Sequence, residues 1–106
     1  MDKALHLVQV LLPIADNDGR PFPRSAHERV RYELAARYGG VTVFLRAPAE
    51  GLWKEDAGRV SRDDVVIYEV MTDGLDRAWW RAYRIALEER FRQEEVVVRA
   101  SVIERL

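Results

Sequence analysis

The stretch Asp64-Val-Val-Ile-Tyr-Glu-Val-Met-Thr72 decides how the rest of the chain is read. It is β-branched and aromatic and is stopped by Asp73-Gly74, which marks it as a strand rather than a helix. A second run of the same kind lies at Leu5 to Ile14 (LHLVQVLLPI), interrupted only by His6 and Gln9. A turn cluster ends it, Asp16-Asn17-Asp18-Gly19 followed by Pro21 and Pro23. These two runs are the most apolar in the chain, so both are expected at the centre of a sheet.

Working outward, Val41 to Arg46 alternates Val41, Val43 and Leu45 against Thr42, Phe44 and Arg46, the period-2 pattern of a strand. Glu95 to Ile103 alternates likewise and carries Arg99, as Val41 to Arg46 carries Arg46, and such charges suit edge strands. Ser25 to Tyr38 reads as a helix. Ser25 and Glu28 have the spacing of a capping box, His27, Val30, Leu34 and Tyr38 share one face, and Gly39-Gly40 supplies the stop. Leu75 to Phe91 reads as a second helix with Leu75, Trp79, Tyr83, Ala86 and Leu87 on its apolar stripe and Trp80 and Phe91 at the margin. The order β-α-β-β-α-β predicts a ferredoxin-like α+β fold: a four-stranded antiparallel sheet with two helices on one face, formed as a single domain over residues 1–106. The connection from Ala47 to Asp63 is long for a compact domain, and Trp53 is expected to pin it down.

Length and composition bound the function. A chain of 106 residues, 48% hydrophobic and 33% charged, fits one globular domain. Seventeen basic and eighteen acidic residues give a net charge of −1, so nothing draws the whole molecule to nucleic acid or to an anionic membrane, and neither partner is expected. There is no cysteine, hence no disulfide, thiolate metal site or Cys nucleophile. The N-terminal segment lacks a basic leader region and is too short in apolar residues for a span, and a cytoplasmic location is expected.

Splitting the strands by parity gives two faces. One set, with Val8, Val10, Leu12, Val43, Val66, Tyr68, Val70, Val96 and Val98, is almost wholly apolar and is expected under the helices. The other holds Leu5, Leu7, Leu11, Phe44, Val65, Ile67, Met71 and Val97, too apolar to face water. A homodimer formed through this second face is expected, with the Trp53 loop or a ligand as other covers. Its polar residues, Gln9, Arg46, Glu69 and Arg99, fall one per strand and are expected to form a belt across the sheet. On the helix side, His6, Tyr68, Trp53, Trp79 and Tyr83, with Tyr32 nearby, are candidates for lining a pocket that takes a small aromatic ligand. Ordinary core packing accounts for the same residues.

Catalytic templates are missing. There is no G-x-S-x-G, no Gly-rich phosphate loop and no metal-ligand spacing, and neither a metal nor a cofactor is expected. The Asp16 loop starts like a calcium loop, but His27 stands where a bidentate Glu is required. An RNA-recognition reading fails because the central strands offer aliphatic residues and Glu69 where bases need aromatic platforms. The arginines at 77, 81, 84, 90 and 92 are balanced by Asp76, Glu88, Glu89, Glu94 and Glu95, as on a solvated helix.

Tyr38-Gly-Gly-Val-Thr42, Gly51-Leu-Trp53 and Asp64 to Glu69 together resemble small uncharacterised bacterial members of the dimeric ferredoxin-like, or dimeric α+β barrel, superfamily. That resemblance implies a homodimer. The superfamily includes cofactor-free monooxygenases, dehydratases, cyclases and ligand-binding modules, so it constrains activity little. A small-molecule-binding or interaction module is the favoured expectation, and a cofactor-free monooxygenase- or cyclase-type enzyme with an aromatic pocket is the alternative.

Overall fold

The computed structural model describes residues 4–46 and 64–106. Six elements follow one another as expected: β1 (Leu5–Pro13), α1 (Arg24–Tyr38), β2 (Thr42–Arg46), β3 (Val65–Asp73), α2 (Arg77–Arg90) and β4 (Val97–Val102). The sheet order is β2-β3-β1-β4 with every neighbouring pair antiparallel. The two apolar runs are therefore the central strands, and the fold is ferredoxin-like α+β.

One core joins the sheet to both helices. Val8, Val10 and Leu12 of β1 and Tyr68 and Val70 of β3 are buried together with Val30 and Leu34 of α1 and Trp80, Tyr83 and Leu87 of α2. The α2 stripe is rotated from the expected one. Its deepest members are Trp80, Tyr83, Leu87 and, just past the helix, Phe91, whereas Trp79 and Leu75 are only partly covered. Arg37 explains the position of Trp79, its guanidinium lying 4.1 Å from the indole centroid on the flank of the helix pair. Tyr32, expected above the sheet, is 75% exposed.

The helix ends show how local signals resolve. The capping box at Ser25 and Glu28 does not form, because α1 starts one residue earlier, with Pro23 as N-cap and no side-chain bond to the first turn. Ser25 thus sits inside the helix, where its hydroxyl cannot serve as the cap. Gly39 does end α1, at φ 80° with its N–H donating to the Ala35 carbonyl. In α2 the cap is Asp76, whose Oδ1 accepts from the Trp79 N–H at 3.1 Å. β4 begins later than its pattern predicts. The Val96 N–H donates to Glu88 Oε2 at 3.0 Å, which takes that residue off the ladder and turns its side chain into the core.

Candidate functional site

The face of the sheet away from the helices is organised in rows. Gln9 of β1 lies opposite Glu69 of β3 on one side and Arg99 of β4 on the other. Gln9 Nε2 donates to Glu69 Oε2 at 2.6 Å, and Arg99 Nε donates to Gln9 Oε1 at 2.8 Å. The amide thus relays between a cation and a carboxylate, and each end of the chain of bonds is charge-assisted. The fourth expected member is not in the row. Register places Thr42 opposite Glu69 and Arg46 opposite Val65, four residues further along β2. Alternation fixes the face on which a strand residue lies but not its partner across the sheet, which depends on hairpin register.

Largely apolar rows flank this belt. On one side run Val97, Leu11, Ile67 and Phe44, and on the other Ser101, Leu7 and Met71. Met71 is 51% exposed and Phe44 and Val97 are also exposed, while Leu5, Leu7, Leu11 and Val65 are half-buried. Ile67 differs from its neighbours in being only 4% exposed within a single chain.

The expected aromatic pocket is not assembled. His6 lies opposite Thr72 and Val102 at one end of β1, whereas Tyr68 lies opposite Val10 and Val43. They line separate spaces. Trp79 and Tyr83 stack on each other, centroids 4.9 Å apart, between the helices rather than over either space. Trp53 lies outside the described residues. The Tyr83 hydroxyl donates to Glu33 Oε1 at 2.9 Å, and Arg90 Nη1 donates to the same oxygen at 2.9 Å. Burial pushes the Glu33 carboxyl up, but the hydrogen bonds from Arg90 and Tyr83 outweigh it and hold the group below its ordinary range.

The sequence pattern pairs Tyr68 with His6; the fold pairs it with His27. His27 Nδ1 and Tyr68 Oη are 2.5 Å apart, and the rings lie nearly parallel. Burial raises the Tyr68 phenol, with Arg31 opposing it in part. Burial also lowers His27, with the Pro13 carbonyl opposing it in part, so both groups are neutral near pH 7. The signal for this pair was present: His27 shares the apolar stripe of α1, and Tyr68 has helix-side parity on β3. Beside them is a cleft of about 300 Å³ whose walls include Arg24, Glu28, Arg31 and Val43. Arg24, Glu28, Arg31 and Val43 are all exposed, so this cleft opens to water.

A larger space, about 370 Å³, separates α2 from β4. Its floor is Val8 and Val98, its β4 wall includes Ala100 and Val102, and Arg77, Arg81 and Arg84 project from α2 along the other wall. His6 stands at its end. His6 Nδ1 is 3.1 Å from the Ala4 carbonyl, which can only accept, so Nδ1 carries a proton and Nε2 is left for a ligand. Trp80 also lines the space and holds a buried indole Nε1 without a hydrogen-bond partner. Among the described residues no group of three or more His, Cys, Asp or Glu side chains could hold a metal ion, and no helix is long and apolar enough to cross a membrane.

Comparison with known proteins finds no family model, no curated protein and no solved structure that matches the chain.

Proposed function

We propose that the protein is a small homodimeric binding module of the dimeric ferredoxin-like type, joined through its open sheet face and binding small molecules on the helix side. The observation that carries this reading is the open face itself. Its charges are matched laterally, Arg99 to Gln9 to Glu69, and the rows on both sides, apolar but for Ser101, are incompletely covered. A monomer rarely leaves such a surface in water. At ~3.3 Å per residue and ~4.8 Å between strands, the four strands offer roughly 450 Å² in projection per protomer. Two such faces approach the lower end of specific interfaces, about 1,200 Å² in total, so the dimer is of modest strength.

A two-fold axis running along β1 sets Arg99 of one protomer over Glu69 of its partner, since β3 and β4 flank β1 on opposite sides. The lateral relay then gains a second partner for each charge. A cysteine-free chain suits the cytoplasm, and the sequence resemblance suits a bacterial source. Light scattering coupled to size exclusion tests the assembly. At micromolar protein the expected mass is twice the 12.3 kDa of one chain, and a mass near 12.3 kDa refutes the dimer.

The His27–Tyr68 pair favours a second reading, a cofactor-free monooxygenase or cyclase in which this pair handles a proton. Both neutral groups are suited to that task, yet the cleft beside them is open and charged where such chemistry calls for exclusion of water. Oxygen uptake or ring closure with a panel of aromatic polyols, abolished in Tyr68→Phe and retained in Arg81→Gln, would establish the enzyme instead.

A further inference from the structure

Three arginines on one wall of a concave space are an unusual neighbourhood for each other. Arg77 and Arg81 are four residues apart and Arg81 and Arg84 three, which puts all three guanidiniums on one side of α2, where like charges at these spacings repel. Arg84 is offset by Glu88 at 2.8 Å. Arg77 and Arg81 have no acidic partner among the described residues. The β4 wall carries Val98, Ala100 and Val102 toward the helices and Arg99 and Ser101 along its outer edge, and Val102 is 67% exposed although its parity turns it toward the helices. Helix α2 therefore stands off from the end of β4, leaving a space with a cationic rim and a hydrocarbon floor.

We infer that the space between α2 and β4 is a binding site for a small amphipathic carboxylate, an anionic head on a flat or branched apolar body. This rests on the small-molecule part of the reading above and names its ligand class. The head is held by Arg77 and Arg81, whose forked donors match a carboxylate in two parallel bonds. The body lies on Val8, Val98 and Val102, and His6 Nε2 bounds the far end. A compact inorganic anion satisfies the rim but leaves the floor wet, and a neutral aromatic covers the floor but leaves the arginines repelling one another. Only a ligand with both parts removes both defects, and a volume of about 370 Å³ falls at the small end of ligand pockets.

The test is an amide-resonance titration of the full chain at physiological salt with three probes: phenylacetate, its neutral isostere phenylacetamide, and inorganic phosphate. Phenylacetate is expected to shift the amides of Arg81, Ala100 and Ser101 and to bind at least tenfold tighter than phenylacetamide or phosphate. The double variant Arg77→Gln, Arg81→Gln, both exposed positions, is expected to lose at least tenfold in phenylacetate affinity while its melting temperature stays within a degree or two of the parent. Equal binding of phosphate, equal binding of phenylacetamide, or an affinity unchanged in the double variant overturns the inference. Phenylacetamide binding that shifts His27 and Tyr68 instead removes this site while leaving a small-molecule module in place. No binding by any probe removes both.

Discussion

The two faces of the one sheet are built from the same four strands, yet they are finished differently. On the helix side Val8, Val10, Tyr68 and Val70 are closed off by side chains of α1 and α2 within one chain. On the other side the residues between them, Leu7, Gln9, Glu69 and Met71, form a charged row set in an apolar field, and Met71 remains half exposed. A face that the chain closes itself and a face that it leaves open thus carry different polar residues. Where the chain closes its own face, the polar atoms against the sheet are the neutral hydroxyl and imidazole of Tyr68 and His27, and the charged pair Glu33 and Arg90 is kept to the helices, where it meets the Tyr83 hydroxyl. Where the face is left open, the charges of Arg99 and Glu69 are tied side to side through Gln9.

Substitutions sharpen this contrast. The largest effect is expected on the closed face: Phe91→Ala, at a fully buried ring packed against Phe22 and His27, should lower unfolding free energy by about 3–5 kcal/mol in urea titrations. Met71→Ala on the open face should change folding stability little and weaken dimerisation instead. If Met71→Ala destabilised the isolated chain as much as Phe91→Ala, the open face would be closed within the monomer. Next comes Gln9→Leu, which removes the relay and leaves Glu69 and Arg99 without their shared partner. About 1–2 kcal/mol is expected, read as the concentration dependence of the melting temperature. Asp76→Ala should cost about 1 kcal/mol of folding stability through loss of the α2 cap, with the dimer constant unchanged.

The smallest effect is a pH dependence on the closed face. The His27 pKa in the folded chain lies below its ordinary 6.5, so unfolded chains bind the proton more readily. Stability from this source is complete above pH 6.5 and is lost as the pH falls from there toward the lower folded value. Urea midpoints between pH 7.5 and pH 5 should therefore decline in the parent and decline less in His27→Gln. An equal slope in the two proteins would assign the titration to another group.

The fold was legible because two apolar runs and two capped or terminated helices are signals that packing reinforces: Gly39 and Asp73-Gly74 stop the elements where the pattern says they do. Parity assigned all four belt residues to one face, but which of them share a row depends on register: Gln9, Glu69 and Arg99 do, and Arg46 falls opposite Val65 instead. The aromatic pocket failed for a related reason. His6 and Tyr68 share a face, but Tyr68 lies opposite Val10, four residues along β1 from His6, which separates them by two rows of that face. In α2 the two tryptophans exchange places with respect to the expected stripe: they are equally apolar in sequence, but Trp80 goes inward and Trp79 lies between Tyr83 and the Arg37 guanidinium. The cleft between α2 and β4 was invisible, because a gap between a helix and an edge strand leaves no pattern in either.

The open face as a meeting surface is tested most directly by isotope-filtered nuclear Overhauser measurements on a mixture of labelled and unlabelled chains. Contacts between chains are expected among Leu7, Leu11 and Met71, with Arg99 of one chain near Glu69 of the other. Intermolecular contacts confined to the helices or to the edges of β2 and β4, or none at all at millimolar protein, would contradict it.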